Sequence, residues 1–371
     1  MTVLSWRAPG DPDAGGSELH AREILRRWVA SGVDVTIIAR RVPDGADSHV
    51  AIGGDDVRVV HSGGTYTVFA TAPWRAARAR PRAHATVEIL NGVPFWTPLW
   101  RRRTSVVWLH HLHTDMWAQT LPRPVADVGR WVESTVVPRA YRTPVVTLSQ
   151  PGADELRHAG FRDVRVVEPG IADHFLRATP AASSGSGVSR SGPSRLVAVG
   201  RLAPVKQWIE LLLAVEQLQS PDRTVMLDVV GGGPMRDEID RWCREHRADW
   251  VHVRGVVSDA ELVSIYSSAD LLVSASSSEG WGMTVTEAAA CGVPAVVTGV
   301  VGHRAAVVDG VTGVLVDTPY ELTAAIATLL DDPDRRDRMA KAARERAQRL
   351  SWDAAAAAHL DIIRERVGRG N

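Results

Sequence analysis

Lysine and cysteine are nearly missing from this 371-residue chain. The two lysines are Lys206 and Lys341, and the two cysteines are Cys243 and Cys291. Two cysteines cannot build a disulfide framework, and their spacing is not that of a metal clip. No run of about 18 consecutive apolar residues occurs, so no membrane span is expected. The amino terminus, MTVLSWRAPGDPDAGG, has no basic region leading into an apolar run. No signal peptide is therefore expected, and a cytoplasmic protein is the default. Net charge is also missing, since 43 basic residues balance 43 acidic ones. That argues against a nucleic-acid partner, whose binders carry a basic excess. Arginine is the default cation here, so a lysine kept against that bias hints at use. Lys341 sits in the charged run RRDRMAKAARERAQRL and reads as a solvated helix face. Lys206 sits in a loop.

What is present is ordinary globular material, 45% apolar and 23% charged. At roughly 150 residues per domain the length suggests about two domains. MTVLSW reads as a strand, RAPGDPDAGGSE as a loop, and ELHAREILRRWVASG as a helix. Its apolar stripe is Leu19, Ile24, Leu25 and Trp28, with Gly32 as the stop. DVTIIAR then reads as a buried strand, which completes a βαβ unit. VRVVHSG, VEILNG, SVVWLH, PVVTLS and VRVVEPG supply further strands. The stretch ATPAASSGSGVSRSGPS is dense in Ser, Gly, Pro and Ala and reads as a linker. A second alternation of strands and helices follows, from RLVAVGR to PAVVTGV. The expected organisation is an α/β chain with two doubly wound domains. The first spans 1–180, the linker 181–195 and the second domain 196–350. A helix at 351–371, capped by Ser351, closes the chain. Ligands bind at the carboxyl ends of such strands and between domains.

The densest constellation is Glu279-Gly-Trp-Gly-Met-Thr-Val-Thr-Glu287, followed by Ala-Ala-Ala-Cys-Gly-Val-Pro. Gly280 and Gly282 let the backbone approach a ligand closely. Amides at the opening of the next helix suit a phosphate. Eight residues would set Glu287 about two helical turns beyond Glu279. The two carboxylates would then hold opposite ends of one long polar ligand such as a nucleotide sugar. The plain alternative is a capping carboxylate and a surface helix residue. In VGRLAPVKQW, Arg201 and Lys206 follow a strand and precede a helix, an arrangement that suits a diphosphate. The alternative is two solvated cations.

Three weaker signals accompany these. AGGSE, with Gly15 and Gly16, resembles a phosphate cradle or an ordinary tight turn, and is neither GxGxxG nor a Walker loop. VVGGGP, around Gly232, reads as a βα turn or as close backbone approach to a ligand. WLHHLHTD carries His110, His111 and His113 without an accompanying acid or cysteine cluster, so a cleft-lining histidine fits better than a metal site. Asp11/Asp13 and Asp332/Asp334 flank prolines and read as turns. No metal ligand set is expected. The first-domain tryptophans, Trp6, Trp28, Trp74, Trp96, Trp100, Trp108, Trp117 and Trp131, divide between core and sugar stacking. APWRAARARPRAH and WRRR are basic clusters, read either as solvated faces or as contacts to an anionic surface.

Together these residues resemble the retaining glycosyltransferases of family four, glycosyl transferases group 1, with the two-domain GT-B fold. The resemblance rests on AGGSE, GRLxxxK, VVGGGP and the run VRGVVSDAELVSIYSSADLLVSASSSEGWGMTVTEAAACGVPAVV, continued by GHRAAVVDGVTGVLV. It covers nearly the whole chain and is densest from Val197 to Asp317. It implies two Rossmann-like domains facing a cleft, with the last helix crossing back to the first domain. It implies that Arg201 and Lys206 neutralise the donor diphosphate. Gly200 belongs to the same loop. Glu279 would bind hydroxyls of the transferred sugar, the amides of Gly280, Trp281, Gly282 and Met283 the sugar and phosphate, with Thr284 beside them, and Glu287 the ribose. Gly16 and Gly232 would allow close backbone approach. His110 matches the family's cleft histidine, with His111 and His113 as neighbours in the same run. The chain departs from the family at Gln207, usually Gly, and at Trp281, usually Phe. The familiar Gly-Gly-x-x-Glu is here Val301-Gly302-His303-Arg304-Ala305.

The implied reaction moves a sugar from a nucleotide diphosphate sugar to a hydroxyl acceptor, with retention and without a metal cofactor. The acceptor would be a small molecule, a natural product or an envelope glycan or glycolipid, with peripheral contact to the inner face of the membrane. The competing readings are a sugar phosphorylase, a nucleotide-sugar epimerase, or a non-catalytic nucleotide-sugar binder. Sugar, base, acceptor and oligomeric state are not legible in the sequence.

Overall fold

The computed structural model describes residues 1–9, 11, 15–41, 48–52, 55–113, 117, 122–179, 192–221 and 223–369. The chain divides into two units. Met1–Gly170 and the residues from Ser351 onward form the first, and Ile171–Leu350 the second.

The first unit is built on eight strands: β1 (Thr2–Leu4), β2 (Thr36–Ala39), β3 (Ser48–Ile52), β4 (Asp55–His61), β5 (Thr86–Ile89), β6 (Ser105–Trp108), β7 (Val145–Thr147) and β8 (Val164–Val166). Their order is β3-β4-β2-β1-β5-β6-β7-β8. All pairs are parallel except β3 on β4. The expected strands are present, and the antiparallel edge strand β3 adds to them. In β1, Val3 pairs with Ile37 on one side and Val87 on the other. All three are fully buried, as befits a parallel sheet covered on both faces.

Helix Gly16–Ala30 follows β1. Its buried stripe runs through His20, Ala21, Ile24, Leu25 and Trp28. Leu19, expected on that stripe, is instead 39% exposed. The i, i+4 rows 20-24-28 and 21-25 set the helical phase, and residue 19 falls off them. His20 is thus carried into the core.

The tail helix Trp352–Gly368 packs within the first unit, with the Ser351 hydroxyl accepting from the Ala354 amide at 3.3 Å. Trp28 donates its indole N–H to the Ala356 carbonyl at 2.9 Å. Where the chain leaves this unit, a Cβ on Gly170 would lie 2.0 Å from the Trp352 amide nitrogen, so no side chain fits. The unit boundary follows Gly170, ahead of the 180 read from the sequence. The residues just after it belong to the second unit because Phe175 packs edge-on to Tyr266, ring centroids 5.9 Å apart. Of the expected 181–195 linker, residues 181–191 lie outside the described residues, and Ser194 already opens a strand.

The second unit has six strands: β9 (Ser194–Val199), β10 (Val225–Val230), β11 (Val251–Gly255), β12 (Leu271–Ser274), β13 (Ala295–Thr298) and β14 (Gly313–Val316). Their order is β11-β10-β9-β12-β13-β14, all parallel. Helix Trp208–Glu216 buries Trp208, Leu211, Leu212 and Val215 against this sheet. The chain runs outward from β9 to β11, then returns to lay β12 on the other side of β9. That reversal makes β9/β12 the topological switch point, where a crevice opens beyond the strand ends. In the first sheet the corresponding point lies between β1 and β5.

Candidate active site

The loops beyond β9, β10, β12 and β13, with the helix opened by Gly282, carry the second-unit residues read as donor-binding. After β9, Gly200 and Arg201 lead into the turn Pro204–Lys206. Arg201 is exposed, and its guanidinium has no partner among the described residues. Its carbonyl is pinned by the Trp208 indole N–H at 3.2 Å, which fixes where the side chain departs. Lys206 lies across Gly200, its Cε 3.2 Å from where a Cβ would stand. Gln207 adopts the left-handed conformation, φ 49° and ψ 53°. This explains the family's glycine there, since only glycine takes that conformation without steric cost.

The β10 loop is bound backbone to backbone against the β9 loop. Gly200 N–H donates to Val230 O at 2.9 Å, and Leu202 N–H donates to Gly232 O at 2.8 Å. A Cβ on Gly231 would lie 1.9 Å from Gly200 O, and one on Gly233 2.5 Å from Leu202 O. The triple glycine therefore has a packing cause. Gly231 and Gly233 need to be glycine for it, whereas Gly232 has only the Val256 side chain near, at 3.1 Å.

Across the switch point, the Lys206 ammonium pairs with Glu279 Oε1. Both side chains are mostly shielded, 19% and 16% exposed. The Ser277 amide donates to Val205 O at 2.9 Å and holds the two loops together. Burial pushes the Glu279 carboxyl up, but Lys206, His303 and a hydrogen bond from Ser276 outweigh it and hold it below the ordinary range. Glu279 is thus a carboxylate at neutral pH. In the sequence, His303 has no role of its own beyond its place in the altered 301–305 run. It is 1% exposed, and its Nε2 lies 3.9 Å from Glu279 Oε1. Its Nδ1 is 2.7 Å from the Thr298 carbonyl, an acceptor, so Nδ1 carries the proton. Burial holds the imidazole below its usual range despite the attraction of Glu279. The neutral ring therefore lies beside the carboxylate with a bare Nε2 and gives it no hydrogen bond.

Gly282 is left-handed, φ 84°, and begins helix Met283–Ala290. Half of the interval from Glu279 to Glu287 is consequently loop. Glu287 stands about one helical turn into its helix, not two turns beyond Glu279 as the spacing alone suggests. Tyr266 donates its hydroxyl to Glu287 Oε2 at 3.2 Å. Burial pushes Glu287 up to about 7, with Asp259 adding to the rise and the Tyr266 hydrogen bond opposing it. Trp281 is 2% exposed, so its ring packs beneath the loop and only its backbone is available to a ligand. Met283 and Thr284, at the helix start, are partly exposed.

In the first unit, Gly16 opens its helix at the β1/β5 switch point. The Glu18 carboxylate accepts from the Gly15 amide at 2.8 Å, and Asn91, beyond β5, reaches the Ser17 hydroxyl at 3.4 Å. His110 lies beyond β6 and is 7% exposed. It packs edge-on to His20 at 4.8 Å. Burial, with His20 and His113 adding, depresses it well below its usual range, so it is neutral at pH 7. His113 is engaged structurally, its amide donating to Glu133 Oε1 at 2.9 Å, and its ring packs on His111 at 4.5 Å. Among the first-unit tryptophans, Trp28 and Trp108 are core, while Trp74 and Trp131 are more than half exposed. Asp13, of the Asp11/Asp13 pair, lies outside the described residues.

Residues 182–346 match the family model glycosyl transferases group 1, and residues 15–170 match a glycosyl transferase 4-like domain. The D-inositol 3-phosphate glycosyltransferase of Thermobispora bispora is 30% identical, over 97% of this chain and 92% of its own. That of Kineococcus radiotolerans is 32% identical, over 97% and 92%. A sucrose-phosphate synthase from Thermosynechococcus elongatus superposes with a TM-score of 0.79 at 22% identity, covering 98% of each chain. The Anabaena protein HepE, solved in complex with UDP-glucose, gives 0.72 at 20% identity, over 97% of this chain and 99% of its own. With two Rossmann-like units and both halves of the chain matched, this protein belongs to the family-four glycosyltransferases, glycosyl transferases group 1, and has the GT-B fold.

Proposed function

We propose that this glycosyltransferase transfers a sugar, with retention of configuration, from a nucleotide diphosphate sugar bound over the β9/β12 crevice. The Lys206–Glu279 pair carries the reading, with Arg201 in the same loop as Lys206 and without a side-chain partner among the described residues. A diphosphate entering the crevice offers Lys206 and Arg201 a better counter-ion than one carboxylate. Glu279, released from the ammonium, turns its oxygens to the sugar hydroxyls. As the glycosidic bond to phosphate breaks, negative charge develops on the leaving diphosphate. Arg201, Lys206 and the amides from Gly280 to Met283 stabilise it. A departing phosphate oxygen takes the proton of the acceptor hydroxyl on the face it leaves, which retains configuration. No step in this sequence calls on a metal. Neutral His110 and the Gly16 turn belong to the acceptor-side unit. The relatives named for D-inositol 3-phosphate make that phosphorylated polyol the first acceptor to try.

The test is a panel of nucleotide diphosphate sugars, scored by thermal shift and by slow nucleotide release, with and without chelator. One donor should stabilise the protein and lose its nucleotide equally well in chelator. No binding, or binding only with a divalent metal, would overturn the site.

Glu287 makes donor binding pH-dependent. Its folded pKa, about 7, lies above the ordinary 4.5. The folded chain thus holds this proton more tightly than the unfolded chain. The group's contribution to stability falls as pH rises through that window. Ribose hydroxyls donate best to the ionised carboxylate. Donor affinity should therefore rise roughly tenfold between about pH 6 and pH 8, with proton release at the lower end. Glu287→Gln should flatten that profile, and a wild-type profile already flat would remove Glu287 from ribose binding.

No helix among the described residues is long and apolar enough to cross a membrane. We place the protein in the cytoplasm, with any membrane contact peripheral and made by the basic clusters of the first unit.

A further inference from the structure

An open groove of about 800 Å³ lies in the first unit, at the amino-terminal ends of the strands and so away from the strand ends that face substrates. Trp100, Arg101, Arg102, Arg103, Arg142 and Arg366 line it. The arginines come from three separate segments. Arg101–Arg103 precede β6, Arg142 precedes β7, and Arg366 is on the tail helix. None of the five pairs with a carboxylate among the described residues. Glu365, next to Arg366 in sequence, is already shared by Arg165 and Arg369.

Three of the five donate to backbone oxygens, Arg142 through Nε to Arg139 O at 3.3 Å. Arg101 donates Nη2 to Ala83 O at 2.7 Å and Nε to Thr86 Oγ1 at 3.3 Å. Arg366 donates Nη2 to Arg102 O and, at 3.4 Å, to Arg142 O, while its buried Nε has no partner. Arg102, Arg103 and Arg142 are exposed beside them. Burial, with the Arg82 charge adding, lowers Arg101 from its ordinary value. Five guanidinium groups held together without a counter-charge repel one another, and a polyvalent oxyanion relieves that repulsion. Their planar forks match phosphate oxygens in pairs, and the volume is that of a small-molecule site.

We propose that this groove binds a phosphate-bearing polyanion, at a site separate from the donor site. A soluble oligophosphate and an anionic lipid headgroup share that chemistry. Because Arg366 bridges the carbonyls of two loops from the tail helix, occupancy also fastens that helix to its unit. The proposal gives the expected membrane contact a definite set of residues, and it does not depend on the transferase reading.

The experiment uses the full chain and the variant Arg102→Gln/Arg103→Gln/Arg142→Gln, which spares Arg101 and Arg366. A charge-matched control, Arg241→Gln/Arg338→Gln/Arg349→Gln, changes exposed arginines of the second unit. Tripolyphosphate is titrated by calorimetry into each protein, all carrying Arg201→Ala to weaken the donor site. In parallel, each protein is sedimented with phosphatidylglycerol vesicles and with phosphatidylcholine vesicles. The groove variant should bind one or both anionic probes roughly a hundredfold more weakly, a share of about fivefold per arginine. Loss in the calorimetric arm identifies a soluble phosphate ligand. Loss confined to phosphatidylglycerol vesicles identifies a headgroup. Equal loss in the control, or no binding to either probe by the parent, would overturn the proposal. The donor panel reads the transferase site separately, so either reading can fail alone.

Discussion

Replacing Arg201 or Lys206 by alanine is expected to lower kcat by about 10²–10³ each, because each removes a donor aimed at the charge developing on the leaving diphosphate. The two differ in what else they disturb. Arg201 is exposed and unpartnered, so Arg201→Ala should leave thermal stability unchanged. Lys206 neutralises Glu279 within a shielded pair, so Lys206→Ala leaves a carboxylate without its ammonium. Burial then dominates at Glu279 and its pKa should rise. Stability should fall by about 1–3 kcal/mol, less than for a fully buried pair. Adding Glu279→Gln to Lys206→Ala should recover most of that stability and none of the activity, a coupling that a double-mutant cycle measures. Lys206→Arg keeps the charge, but a planar fork cannot follow the lysine's path over Gly200, so only partial activity is expected. Near-normal turnover of either alanine variant, with circular dichroism unchanged, would remove that residue from the mechanism.

What the sequence reveals here is what is local in the chain. Strands β9, β10 and β12 each end in a recognisable loop, so Arg201, Lys206 and Glu279 stand out in the sequence, and Lys206 and Glu279 are paired in the fold. Contacts across loops are a different matter. His303 reaches Glu279 only because β13 lies beside β12, and Tyr266 reaches Glu287 from a preceding helix. Neither pairing leaves a spacing signal in one sequence. The distance from Glu279 to Glu287 was misjudged because a left-handed Gly282 delays the helix, a backbone choice that glycine permits and does not announce. Leu19 was misplaced because hydrophobicity cannot foresee a histidine taking the buried position. His20 does so among Trp108, His110, Trp352 and His359, ring partners drawn from β6, its following loop and the tail helix. The short edge strand β3 is not among the strands read from the sequence; it sits at the end of the sheet, paired antiparallel with β4.

Gly302→Ala should be a damaging single methyl group at the Glu279 loop. A Cβ there would stand 2.5 Å from Glu279 O and 2.6 Å from Trp281 N. Both are backbone atoms, so no side chain can swing aside. The Gly302 amide also donates to Glu279 O at 3.0 Å, which ties helix Val301–Ala306 to the loop that aims the Glu279 carboxylate. This is why the chain keeps that glycine while the rest of the family's Gly-Gly-x-x-Glu pattern has changed. Relieving the clash means shifting the Glu279 loop, at a cost of about 1–3 kcal/mol in stability. A misplacement of about 1 Å at a reacting group is worth roughly 10²-fold in rate. The variant should therefore fold, melt earlier, and lose about that factor in kcat/KM. Gly310→Ala separates the two effects. Gly310, unlike helical Gly302, has positive φ, at 71°, with open space around its Cβ. It should lose about 1 kcal/mol from backbone strain and keep full activity. If Gly302→Ala lost stability while its activity matched that of Gly310→Ala, the Glu279 loop would not be setting the geometry of transfer.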